Sequence, residues 1–188
     1  MIIYLAILFI PVLAYSKPLK INLPMQATLS YENKSAKGAR RLHKGSVKIS
    51  SSTKLNLKIN KVLNIIDDGR SLWYYDIPLR QVTKYPHSAL WSTLFWDVKK
   101  IKQKYTIKVT KNKNYKSYAL TPKQTMEIKL LRIDITNSHN LISFSYVDGF
   151  DDMHSYKFSE IGHKMLPDSS YKLILPKNVD VINSINDA

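Results

Sequence analysis

Strict alternation of apolar and polar residues is the feature that most limits how this chain can fold. Leu55, Leu57 and Ile59 interleave with Asn56, Lys58 and Asn60. Tyr105, Ile107 and Val109 interleave with Thr106, Lys108 and Thr110. Ile142, Phe144 and Tyr146 interleave with Ser143 and Ser145. Successive side chains of a strand point to opposite faces, so each run predicts an antiparallel strand with one face buried and one in water. Turn-forming clusters separate the runs at Asp67–Gly69, Asn112–Asn114, Asn137–Asn140, Asp148–Asp152 and Pro167–Ser170. Short strands at this spacing predict a barrel or a sandwich. Within Met126–Ile135 the apolar phase moves from Met126, Ile128 and Leu130 to Leu131, Ile133 and Ile135. A β-bulge would join the two phases and add curvature.

The stretch from Asp67 to Tyr85 reads DDGRSLWYYDIPLRQVTKY. Asp68-Gly69 between Val62–Ile66 and Leu72–Tyr75 is a strong hairpin signal, and Gln81–Tyr85 supplies a third strand. One segment breaks the two-residue period. In Ser88–Ile101, Leu90, Leu94, Val98 and Ile101 share a helical face, with Trp91 and Phe95 beside it. Ser88 can cap this predicted helix, and Lys99, Lys100 and Lys102 suit its C-terminal end. A helix so aromatic, alone among strands, reads either as a core helix closing a barrel end or as a lid over an apolar cavity. The tail after Val181 is polar and reads as loose.

At 188 residues the chain suits one domain with a sizeable core. It has no cysteine, which excludes disulfides, thiolate metal sites and a cysteine nucleophile. Ile2–Leu13 is an apolar run too short for a confident span, and Ala14-Tyr15-Ser16 offers small residues for cleavage after Ser16. The expectation is an exported protein: signal peptide 1–16, then a single β domain over 17–188.

The 29 basic and 14 acidic side chains give a formal net charge of +15. Such a surface suits nucleic acid or anionic lipid head groups. The lysines, such as Lys48, Lys58 and Lys108, are scattered at alternate strand positions, as on a solvated sheet face. Aromatics interleave with basic residues in Trp73–Arg80 and Tyr105–Tyr118, but an export signal argues against nucleic acid as a partner.

Candidate chemistry is sparse. Asp148, Asp151, Asp152 and His154 form the one dense acidic cluster, in the sequence DGFDDMH, without calcium-loop spacing. It reads foremost as a turn, and second as the acid–base group of a secreted hydrolase. His43, His87, His139 and His163 have no metal-ligand spacing, and Asp76 has no identifiable partner. There is no phosphate loop and no nucleophile elbow. No cofactor, metal or catalytic residue is expected.

The ordered set Asp68, Gly69, Leu72, Trp73, Tyr75 and Gln81 resembles the "DG..LW.Y......Q" stretch of the LolA family of periplasmic lipoprotein carriers. The resemblance continues. Ala27–Ser30 and Gly45–Ile49 sit where that family has its "A.F.Q" and "G.L.v" strands. Tyr118–Lys123 looks like its "F.LTPK", Ile142–Phe158 like its "i..f...D..g....y.f", and Tyr171–Val181 like its "f.f..P.gvdv". The resemblance implies an incomplete, strongly curved antiparallel β-barrel with a helical lid over an apolar interior. It implies a monomeric carrier that takes acylated lipoproteins from an inner-membrane ABC releasing complex to an outer-membrane acceptor. The cargo-binding residues would then be Leu55, Leu57, Ile59, Trp73, Leu90, Trp91, Leu94, Phe95, Phe144 and Tyr146. Ser51 stands where the family has an arginine that holds the lid closed, and only Lys17–Pro24 precede the first strand. A lipid-binding or stress-sensing module on the same fold is the alternative.

The physics of such cargo is simple. Burying an acyl chain gains about 0.8 kcal/mol per CH₂, so a 16-carbon chain gains roughly 12 kcal/mol at most. Bare desorption of two or three such chains is too slow to be useful, and a carrier must offer an apolar hollow. The residue list alone does not separate a hollow from a packed core.

Overall fold

A computed structural model describes residues 19–51, 53–87 and 98–183. The apolar N-terminal run and Leu90, Trp91, Leu94 and Phe95 lie outside the described residues. Alternation becomes twelve strands in one sheet: β1 (Met25–Lys34), β2 (Arg40–Ile49), β3 (Leu55–Ile59), β4 (Leu63–Asp67), β5 (Ser71–Asp76), β6 (Gln81–Pro86), β7 (Tyr105–Lys111), β8 (Tyr115–Pro122), β9 (Ile128–Thr136), β10 (Leu141–Asp148), β11 (Met153–Gly162) and β12 (Asp180–Asn183). Their order is β12-β6-β5-β4-β3-β2-β1-β11-β10-β9-β8-β7. Two antiparallel meanders are therefore joined where β1 pairs with β11. The sheet is open, with edges at β7 and β12, and matches the expected incomplete curved barrel.

The inner face carries the core. Met25, Leu29, Ile49, Leu55, Ile59, Leu120, Leu131, Ile133 and Leu141 are all fully buried. Register explains the set: Ile49 lies opposite Leu55, Leu57 opposite Ile65, and Leu120 opposite Leu131. The expected bulge is present, because the β9–β10 register shifts between the pairs Leu130–Val147 and Ile128–Asp148. That shift lets Ile128 and Leu131 both reach the inner side.

Gly45 lies opposite both Leu29 and Ile59 on this face. A Cβ there would sit 1.9 Å from the Lys58 carbonyl oxygen, so only glycine allows β2 to approach β3 so closely.

Curvature shows in the core. Leu55 and Ile59 on β3 and Leu120 on β8 have five strands between them in the sheet order, yet belong to one buried cluster, so the sheet bends around a shared interior.

Helix α1 (Val98–Lys104) follows the described gap. Ile101 is fully buried in the main core, as its helical phase predicts. The helix runs past the expected end at Ile101 to Lys104, and β7 starts at the next residue. Lys123 closes that end: its ammonium donates to the Lys102 carbonyl at 2.8 Å and its amide to the Lys104 carbonyl at 3.0 Å. These carbonyls have no partner within the helix. Lys123 of the "LTPK" stretch thus ties α1 to the sheet.

Of the tail after Val181, Ile182 and Asn183 are not loose but continue β12, which pairs in parallel with Gln81–Lys84, and residues 184–188 lie outside the described residues. Before it, a 3-10 turn at Asp168–Tyr171 packs on the outer side of β3, where Asn56 Nδ2 donates to the Ser170 carbonyl at 2.8 Å. Among the described residues, no helix is long and apolar enough to cross a membrane.

Candidate functional site

At one end of the inner face the packing stops short. A hollow of about 640 Å³ is lined by Glu127, Ile128, Phe144, Tyr146, Asp148, Gly149, Phe150 and His154. Its volume lies within the range of small-molecule sites. Three strands supply the walls. The β9 bulge turns Ile128 inward, alternation on β10 points Phe144 and Tyr146 the same way, and the β10–β11 turn brings Phe150 and His154 to the rim. Phe150 is 87% exposed.

Aromatic rings build the wall. Phe144 and Tyr156 lie 5.4 Å apart, Phe144 and Tyr146 5.9 Å, and Tyr31 and Tyr156 4.9 Å, all tilted. Tyr146 stacks on His154 at 4.5 Å with an interplanar angle of 11°. Such contacts add to area burial and hold the rings in fixed orientations.

A polar chain runs beneath these rings. Asp148 Oδ2 lies 3.1 Å from His154 Nε2, and His154 Nδ1 lies 2.9 Å from the Tyr31 hydroxyl. Asn33 Nδ2, which can only donate, also points to Nδ1 at 3.5 Å. The tautomer that satisfies every member carries its proton on Nε2, donates to Asp148, and accepts from Tyr31 at Nδ1. Burial by itself raises the Asp148 carboxyl; the His154 bond, with the Asp152 and Phe150 amides, outweighs burial and holds it below the usual carboxylate range. Burial, with the Tyr146 and Tyr74 hydroxyls adding, pushes Tyr31 up to about 12. Tyr31 therefore stays a phenol and acts as a donor, poorly suited to serve as a nucleophile.

The remaining members of the acidic cluster serve the turn. Asp152 Oδ1 accepts from the Ala36 amide at 3.0 Å, and Asp151 pairs with Lys129 at 2.7 Å. No group of three His, Asp or Glu side chains is placed to hold a metal among the described residues.

The structure separates the proposed cargo residues. Phe144 and Tyr146 line the hollow. Leu55, Leu57 and Ile59 share the inner face but form its packed floor, at 0%, 3% and 0% exposure. Register places Trp73 away from the hollow. Leu72 and Tyr74 take the inner positions of β5, so Trp73 lies on the outer face, opposite Ile66 and Lys84. There its Nε1 donates to Asp68 Oδ2 at 3.1 Å, and the Lys84 ammonium lies 5.0 Å from the ring centroid. Asp68 Oδ1 also accepts from the Arg70 and Ser71 amides, both at 2.8 Å, while Gly69 takes φ +87°. The "DG..LW" stretch is a self-stapled hairpin. Ser51 is exposed and lines a separate cleft with Lys20–Pro24 and His163.

Sequence reasoning missed Tyr31, Tyr74 and Tyr156. Each falls on an inward position of its strand, and alternation could have found them. It also missed Asp67, a fully buried carboxylate on the inner face. Asp67 Oδ1 accepts from the Gly69 amide at 2.9 Å and lies 2.8 Å from His87 Nδ1.

Comparison with known proteins gives a consistent picture. The family model described as "Outer membrane lipoprotein carrier protein LolA" matches residues 25–173. An outer-membrane lipoprotein carrier protein of Coxiella burnetii is 27% identical over 104 residues, covering 52% of this chain and 49% of the relative. One from Neisseria meningitidis is 28% identical over 127 residues, covering 64% and 61%. The chain thus spans about half the length of the first relative and less than two thirds of the second. Among solved structures, a LolA superfamily protein from Nitrosomonas europaea is 10% identical at a TM-score of 0.44, covering 82% of this chain and 93% of that one.

Proposed function

The chain belongs to the outer membrane lipoprotein carrier family, and from that premise we propose that it is a periplasmic carrier that holds the acyl chains of lipoproteins in the hollow and shuttles them from the inner to the outer membrane. The observation that carries this reading is the 640 Å³ hollow walled by Ile128, Phe144 and Tyr146. Interiors are normally close-packed, and an apolar space of this size left open at the edge of a filled core needs an occupant. An acyl chain fits by chemistry: it asks only for apolar walls. Binding rather than turnover is the proposed role, since both His154 nitrogens are already hydrogen-bonded and Tyr31 stays a phenol.

In this reading residues 1–16 are an export signal and 17–188 the mature carrier. Direction of transfer comes from partners, an ATP-driven releasing complex on one side and an outer-membrane acceptor on the other, because a carrier shifts cargo only through differences in affinity. A second reading, a lipid-binding module that does not deliver lipoproteins, is favoured by one observation. Ser51, where the family has its arginine, is exposed and does not line the hollow.

One experiment separates them. The mature protein is mixed with membranes holding a triacylated lipoprotein and its releasing machinery, with a non-acylated form as control. Soluble one-to-one complexes that depend on acylation are expected. Binding of free lipid with no release supports the second reading, and no binding of either kind overturns both.

A further inference from the structure

Among the described residues, the rim of the hollow has the opposite charge to the chain as a whole. The chain has 29 basic side chains against 14 acidic ones, yet the described residues lining the hollow include Glu127 and Asp148 and no lysine or arginine. We propose that these two carboxylates select the ligand by head group: the hollow takes an amphiphile whose alkyl chain lies among Ile128, Phe144 and Tyr146 and whose head is cationic or a neutral hydrogen-bond donor, and it rejects anionic heads. This deepens the acyl-chain reading and rests on it.

The two carboxylates are free to act in this way. Glu127 is exposed and has no hydrogen-bond or ion-pair partner among the described residues. Asp148 spends Oδ1 on the Phe150 and Asp152 amides and Oδ2 on His154. A carboxylate offers about four acceptor positions, so one remains for a donor from the ligand. Lys129, two residues from Glu127, is engaged by Asp151 and does not neutralise the rim. Apolar walls behind the carboxylates concentrate their field at the opening.

The arrangement gives the two charge patterns different work. The overall positive charge draws the protein to an anionic bilayer. The rim refuses the head groups of that same bilayer, so the hollow stays available for other cargo.

The test uses three ligands of equal chain length, dodecylamine, dodecanol and dodecanoate, each displacing Nile red from the full mature chain at neutral pH. The expected order is amine, alcohol, acid, spanning about tenfold from first to last. The net charge of +15 alone would favour the acid, so this order is diagnostic. Glu127→Lys, at an exposed position, should raise acid affinity above that of the alcohol, and Asp148→Asn should narrow the span. Displacement by dodecanol with no order among heads overturns the selection while leaving the acyl reading intact. An order unchanged in Glu127→Lys also overturns it. Failure of all three ligands to displace the dye removes both.

Discussion

Two regions of one inner face, built by the same alternation, end in opposite states. Across β1–β4, the side chains of Leu29, Ile49, Leu55 and Ile59 are fully buried against each other. At one end of β9–β11, beyond the buried Leu131, Ile133 and Leu141, the side chains of Ile128, Phe144 and Tyr146 line open space. The first region is aliphatic and continuous, and Gly45 lets β2 and β3 close tightly. The second is aromatic and threaded by the polar chain Asp148–His154–Tyr31, whose hydrogen bonds fix its rings in place. Aliphatic side chains fill by interdigitation. Rings held at fixed angles by polar partners cannot collapse into a void. A hollow in a sheet therefore needs scaffolding as well as missing volume.

The sharpest way to break the packed region is Gly45→Ala. The added methyl meets a backbone carbonyl that cannot move aside without separating β2 from β3. A loss of about 3 kcal/mol or more is expected, at the upper end of overpacking costs, read by urea denaturation. A loss under about 1 kcal/mol would show that β2 and β3 are not so closely apposed.

A matched pair of truncations sharpens the contrast. Leu57→Ala, in the packed floor, is expected to cost about 3 kcal/mol, since it leaves a cavity that its neighbours cannot fill. Ile128→Ala, on the wall of a space already open, is expected to cost about 1 kcal/mol, because no new cavity is enclosed. It should weaken amphiphile binding, whereas Leu57→Ala should act on stability first. Equal costs in the two variants would erase the distinction between floor and wall.

Smaller effects probe the scaffold. Tyr31→Phe removes the donor to His154 Nδ1 and is expected to cost about 1 kcal/mol. Loss of the 2.9 Å bond should also loosen the His154 ring, visible as a change in its NMR shifts. The smallest effect concerns acid. Asp148 is lowered in the folded state, so its contribution is present above its unfolded value near 3.8 and is lost as pH falls through the lower folded value. Asp148→Asn should flatten the acid limb of stability below about pH 4 and leave the slope near neutral pH unchanged. An identical acid limb in both proteins would place the linkage elsewhere.

Much of the fold was legible in sequence because strand alternation is a local property. The runs at Leu55–Ile59, Tyr105–Val109 and Ile142–Tyr146 each became strands, and the phase change in Met126–Ile135 became a bulge. Trp73 shows where that reading needs register. The family resemblance put it among the cargo residues, but the same two-residue period that places Leu72 and Tyr74 inside places Trp73 outside. The start of the tail after Val181 was misread for a related reason. Val181 and Ile182 stay half exposed, and backbone pairing to β6, distant in sequence, orders this stretch.

Sequence by itself determined which residues alternate, where the turns fall, and that the Asp68-Gly69 hairpin forms, because each depends on neighbours a few positions away. The tertiary structure decided which face of each strand became interior, that Lys123 would close helix α1, and that the inner face is packed over β1–β4 and much of β9–β10 but opens around Ile128 and Tyr146. These depend on curvature and on meetings between residues far apart in the chain: Tyr31 with His154 and Tyr156, Asn56 with Ser170. Apolar residues of similar kind can line a hollow or fill a core, and only the distance across the bent sheet separates the two.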